Sequence, residues 1–141
     1  MTKRILCSVD GSEHALEAVR VAAGLATATG AQLVIVAINE LVGGHGRGGI
    51  SNYIWTDAEA DSVLQTAAEE ARASGVVNPD VAKVNSRDVA RAIIVYAEEH
   101  GVDHIVVGSS GKGGFKRLML GSVSREVTDR AHCPVTIVRG P

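Results

Sequence analysis

His104-Ile-Val-Val-Gly-Ser-Ser-Gly111, separated by nine residues from Gly121-Ser122, is the stretch on which the reading of this chain turns. A short apolar run bounded by glycine reads as a buried strand. It runs into a glycine turn and then into a helix expected to be capped by serine at Ser122. Glycines let backbone N–H groups turn inward where a Cβ would obstruct them. The start of the helix adds unpaired N–H groups and the positive end of its dipole. Strand, glycine turn and helix start, in that order, predict a βα unit whose turn can hold the phosphates of a nucleotide.

Working outward, similar units recur along the chain. Residues 5–9 form a buried apolar run that ends at Asp10-Gly11. Ser12 can cap a helix whose inner face is Ala15, Leu16, Val19, Ala22, Ala23 and Ala26, with Thr29-Gly30 as its stop. Residues 33–38 read as a second strand. Residues 40–53 read as a glycine-rich loop, long enough to call for a function or disorder. A helix over 57–74 turns Ala60, Leu64, Ala67, Ala68 and Ala71 inward. A short third strand is predicted over 81–84. A helix over 87–100 follows, with Val89, Ile93, Tyr96 and Ala97 as its stripe. The fourth strand covers 103–107, the last helix 122–131 and the fifth strand 135–138.

Apolar strands alternating with helices predict an open parallel five-stranded α/β sheet with helices on both faces. Right-handed crossovers make it doubly wound. An order of 3-2-1-4-5 is assumed, so the first and fourth strands are neighbours and the winding reverses between them. Ligands bind outside the carboxyl ends of strands at such a point. Asp10 ends the first strand and Gly108 the fourth, so the two most chemically suggestive loops are predicted to meet there.

The 141 residues suit a single domain over 1–141. With a net charge of −2, the chain has no basic excess to serve as an electrostatic footprint for nucleic acid. Aromatics make up 3%, too few for a strand-stacking platform. The N-terminal Met1-Thr-Lys-Arg-Ile-Leu has no long apolar core, so no signal peptide is expected. Nothing between Arg20 and Glu40 is charged, which approaches a membrane-span length. Gly24, Thr27, Thr29, Gly30 and Gln32 interrupt it, and no membrane insertion is expected. Cys7 and Cys133 form no CxxC and read as two structural thiols of a cytoplasmic chain.

Several motifs exclude rather than assign. Lys112 is followed by Gly113 where a Walker loop needs Ser or Thr, so cation binding in the P-loop manner is not available. Lys112, Lys116 and Arg117 put positive charge near the turn or simply form a solvated face. Gly44-His-Gly46-Arg-Gly-Gly49 matches a dinucleotide fingerprint in the wrong place. It follows the second strand and opens no helix, so a lid or linker is expected. Asp10 either caps its turn or contacts a ligand, and its position favours the ligand. His14, His45, His100, His104 and His132 have no metal-ligand spacing, and no Ser-His-Asp or Cys-His arrangement can be assembled. Neither a metal ligand nor a catalytic residue is assigned.

Ile5-Leu-Cys-Ser-Val-Asp-Gly-Ser12, Val106-Val-Gly-Ser-Ser-Gly111, Lys116-Arg-Leu-Met-Leu-Gly-Ser-Val-Ser124 and Cys133-Pro-Val-Thr-Ile-Val138 resemble the universal stress protein family across the whole chain. The pattern G-x2-G-x9-G-[S/T], met by Gly108, Gly111, Gly121 and Ser122, resembles its ATP-binding type. The resemblance implies an adenine nucleotide alpha hydrolase-like fold. It also implies ATP in the crevice, with AMP or cyclic AMP left open, and Mg²⁺ or Mn²⁺ as companion cation. Val9 and Asp10 would contact the nucleoside, Ile38 would pack on the adenine, and Val107 and Gly108 would line the base and ribose. Gly111, Gly121, Ser122, Val123 and Ser124 would hold phosphates. Homodimers through the last strand, Val135 to Val138, are implied as well, and an edge strand of that composition invites pairing. Asn85-Ser86-Arg87 departs from the small residue and proline or alanine of many members. Arg87 would fill part of the pocket or add a phosphate contact.

The expected role is a cytoplasmic, dimeric, nucleotide-binding regulator in stress response, with residues 40–53 as the segment to order on binding. One alternative is a slow ATPase or self-phosphorylating protein, against which no general base is evident. The other is an interaction module that binds a partner such as a transporter without nucleotide.

Overall fold

A computed structural model describes residues 2–44, 46, 48–109 and 120–140. Gly111, Lys112, Lys116 and Arg117 of the predicted phosphate turn, and His45, lie outside the described residues. The elements run β1 Arg4–Val9, α1 Glu13–Thr29, β2 Gln32–Gly43, β3 Ser51–Tyr53, α2 Asp57–Ala73, β4 Asp80–Ser86, α3 Val89–Glu99, β5 His104–Gly108, α4 Ser122–Arg130 and β6 Val135–Val138.

The parallel sheet has the order β4-β2-β1-β5-β6. Counting only the strands expected from sequence, this is the 3-2-1-4-5 arrangement, with the reversal between β1 and β5. Side chains alternate across it, because successive strand residues point to opposite faces. Ile5, Cys7, Val9, Leu33, Ile35 and Ala37 face α1 and α2, while Leu6, Val34, Val36, Ile38, Ile105 and Val107 face α3 and α4. The α1 and α2 faces are alanine-rich, which lets both helices sit close to the sheet and to each other. The inner stripe of α1 includes Ala18 and leaves Leu16 half-buried, while in α3 the expected Ile93 and Ala97 are buried together with Ala90 and Ile94, and Val89 and Tyr96 pack half-buried against the same core.

The uncharged stretch between Arg20 and Glu40 is divided by Gly30, whose φ of 72° ends α1 before β2 begins. Among the described residues no helix is long and apolar enough to cross a membrane.

The expected loop over 40–53 needs correction. Strand β2 continues to Gly43 and folds back as β3, pairing Leu41 with Tyr53, Val42 with Asn52 and Gly43 with Ser51. Glycines at positive φ (Gly43 83°, Gly44 78°) make this reversal possible, since L side chains rarely adopt that conformation. Glycine content reads as loop in one dimension and serves a hairpin turn in three.

Cys7 lies in the middle of β1 with no exposure. Burial pushes its thiol from an ordinary 9.0 up to about 12. The folded chain keeps this proton while the unfolded chain releases it, so the stability it contributes is complete below pH 9.0 and lost towards pH 12. Burial raises the Tyr96 phenol and the Cys133 thiol in the same direction. The urea midpoint is expected to fall between about pH 8 and about pH 10.5, with a shallower fall in Cys7→Ala. Equal slopes in the two proteins would remove Cys7 as the cause.

Candidate functional site

A crevice of about 280 Å³ opens at the carboxyl ends of β1, β2 and β5. Val9, Asp10, Ile38, Val107, Gly108, Gly121, Ser122, Val123 and Ser124 all line it. Of the nucleotide-site residues named from sequence, Gly111 alone lies outside the described residues.

At one end stands the N-terminus of α4. The other helices close their first turns with their own caps. Ser12 accepts from the Ala15 N–H at 3.2 Å, Thr56 forms a capping box with Glu59, and Asp88 accepts from the Arg91 N–H at 3.0 Å. The serine cap expected for α4 is not formed: the helix starts at Ser122 and its cap position is Gly121, which has no side chain to cap with. Its first helical bond runs from the Arg125 N–H to the Gly121 carbonyl at 3.0 Å. The N–H groups of Ser122, Val123 and Ser124 therefore have no helical acceptor, and these residues line the crevice. Three donors and the positive helix end converge on one spot, a place suited to an anion.

This end is anchored from below. The Gly121 N–H donates to Ser109 O at 2.7 Å, and the Ser109 N–H donates to Val138 O at 2.8 Å. The buried Ser124 hydroxyl donates to Gly108 O. That proton is committed within the protein, so Ser124 can offer a phosphate its N–H but not its hydroxyl hydrogen. The Ser122 hydroxyl is exposed and has no partner among the described residues.

The glycines themselves have a different cause from the one expected. Neither Gly108 nor Gly121 has a positive φ. A Cβ on Gly108 would stand 3.2 Å from the His14 carbonyl oxygen, so glycine here lets the first turn of α1 lie against β5.

At the other end, Asp10 Oδ1 accepts from the Ser12 N–H at 2.9 Å and from the Ser12 hydroxyl. Its Oδ2 has no hydrogen-bond partner among the described residues. Asp10 thus holds its turn with one oxygen and presents a second acceptor beside the crevice. Glu40, Ile54 and Trp55 complete this wall, with Val89 and Ile93 from α3.

Trp55, the chain's single tryptophan, was not foreseen here. Buried Asn39 brings it in: Asn39 Nδ2 donates to Trp55 O at 2.9 Å and the Trp55 N–H donates to Asn39 Oδ1 at 3.0 Å. Two signals could have found it. Asn39 is a lone amide closing an apolar run, and Trp55 directly precedes the capping box of Thr56 and Glu59. Arg87 does not line the crevice. Its guanidinium donates to Gly43 O and to Ser51 Oγ, each at 2.9 Å. Among the described residues no group of three or more His, Cys, Asp or Glu is placed to hold a metal ion.

The family model of the universal stress protein family matches residues 1–139. The universal stress protein YxiE of Bacillus subtilis is 34% identical over 152 aligned positions, covering 99% of this chain and all of that one. Among solved structures, a universal stress protein in complex with cAMP superposes with a TM-score of 0.75 at 26% identity, covering 97% of each chain. A universal stress protein from Archaeoglobus fulgidus gives 0.73 at 26% identity, covering 98% of this chain and 94% of its own. Sequence, sheet order and crevice agree on one assignment: this chain belongs to the universal stress protein family.

Proposed function

We propose that the chain binds an adenine nucleotide in this crevice, phosphates on the N-terminus of α4 and nucleoside towards Asp10, Ile38 and Val107. The observation that carries the reading is the start of α4 after Gly121: the N–H groups of Ser122, Val123 and Ser124 have no helical acceptor, and these residues line the same apolar crevice as Asp10. Ser122, Val123 and Ser124 would hold phosphate oxygens through their backbone. Gly111 would join them, and Val9 and Gly108 would line the nucleoside. The size of the crevice, near the lower end of small-molecule pockets, suits a nucleoside. The family relative described in complex with cAMP supports an adenine nucleotide as ligand.

ATP is the ligand proposed first, with AMP and cyclic AMP as the alternatives. A divalent cation, Mg²⁺ or Mn²⁺, would ride on phosphate oxygens, which is how Mg²⁺ is commonly held when protein ligands are few. The proposed role is a cytoplasmic regulator whose nucleotide shifts it between states, which requires that the ligand prefer one of them. Homodimerisation through β6 belongs to the same reading. That strand pairs with β5 on one side and with no other described strand, leaving a row of backbone groups for a second copy.

The test is to denature freshly purified protein and identify released nucleotide by chromatography and mass. ATP, AMP or cyclic AMP in near-stoichiometric amount is the expected result. Empty protein with no thermal shift on adding any of the three with Mg²⁺ would overturn the reading in favour of a nucleotide-independent interaction module.

A further inference from the structure

We infer that Arg87 is a positioning residue for the crevice: its guanidinium pins the β2–β3 hairpin, and the hairpin holds Ile54 and Trp55 as a wall of the site. The hairpin has only three residue pairs, and Ser51, Asn52 and Tyr53 are all exposed. Val42 is 42% exposed and Ile54 45%, so little burial holds it down. A short ribbon of this kind is marginal without outside support. Its root is tied by Asn39 to Trp55 and by the Ile54 N–H to Glu40 O at 2.9 Å. Towards its tip the support described is Arg87, which reaches across from the end of β4.

The turn is shaped around that guanidinium. A Cβ on Gly44 would fall 2.0 Å from Ser51 Oγ and 3.2 Å from Arg87 Nη2, and one on Gly43 would fall 2.5 Å from Ile50 O. Two glycines in the left-handed region thus bring Gly43 O and Ser51 Oγ within reach of one planar fork. Arg87 has no carboxylate partner among the described residues, so both observed bonds are to neutral oxygens of the hairpin. A lysine has no fork and cannot bridge two such acceptors in this way. The wall is then built before ligand arrives, which replaces the expectation that 40–53 orders on binding. A wall that is only partly populated lowers apparent affinity by that fraction.

The experiment uses Arg87→Ala, Arg87→Lys and Ser51→Ala in the full chain. Amide exchange at residues 51–55 and Trp55 emission are read first, without nucleotide. Both Arg87 variants are expected to exchange about tenfold faster there, the scale of one charge-assisted hydrogen bond, with red-shifted emission and little change in Tm. Ser51→Ala keeps the bond to Gly43 and is expected to fall between. AMP is then the probe. Its affinity is expected to drop severalfold in Arg87→Ala, in proportion to the population of the wall that is lost. Exchange and emission like wild type in Arg87→Ala would overturn the clamp, as would a loosened hairpin with unchanged AMP affinity. The affinity arm rests on the nucleotide reading. Wild-type protein that binds no AMP, ATP or cyclic AMP would sink that reading, and exchange and emission would then decide the clamp alone.

Discussion

Gly121→Val is expected to lower affinity for adenine nucleotide by about a hundredfold or more while the protein stays folded. Loss of one or two charge-assisted hydrogen bonds is enough for that factor. The substitution adds a branched side chain at the cap of α4, beside the N–H groups of Ser122, Val123 and Ser124. The backbone can accept it. Gly121 has φ −66° and ψ 160°, a region open to any residue, and its N–H can still reach Ser109 O. Valine is a poorer cap than glycine, so a decrease in Tm of about 3 °C is expected. Titration calorimetry with ATP and AMP, paired with a melting curve, reads both effects. A folded variant with normal affinity would remove the phosphates from α4.

The second large effect is on stability. Asn39→Leu keeps the branched shape but removes both hydrogen bonds from Asn39 to the Trp55 backbone. Asn39 is 2% exposed and Trp55 7%, so water cannot readily replace the lost bonds. Loss of two buried hydrogen bonds costs about 3 kcal/mol together, less the gain from an apolar side chain. The expected drop in Tm is about 10 °C, with red-shifted Trp55 emission at lower temperature. A midpoint within about two degrees of wild type would show that the hairpin root is held by something other than Asn39.

These two residues show where sequence reasoning reaches and where it stops. Gly121 could be found because strand, turn and helix start are written in consecutive residues, although the cap read there as serine is glycine. The same locality made Ser12 legible as a cap, Gly30 as a stop, and the apolar runs as strands covered on both faces. The inward faces of α1 and α2 followed largely from their alanine spacing. Gly108 was legible as a special position but for another reason than expected, because the closeness of His14 is set by how α1 lies on the sheet.

Asn39 and Arg87 were not legible in that way. The bonds from Asn39 join residues 16 apart, and those of Arg87 reach 36 and 44 residues back along the chain. Neither partner leaves a periodic trace. A glycine-rich stretch carries no mark saying that its two halves pair, so 40–53 read as loop.

The sequence by itself determined the alternation of the five parallel strands with the helices, the helix boundaries to within about two residues and the ends of β1 and β5. These follow from side-chain period and capping, which act within a few residues. Tertiary structure alone decided that Trp55 forms a wall of the crevice, that Ser124 spends its hydroxyl proton on Gly108 and that Arg87 serves the hairpin in place of the pocket. Each of these is a hydrogen bond or packing contact between segments distant in the chain, and such a contact exists only once the sheet has brought its strands side by side.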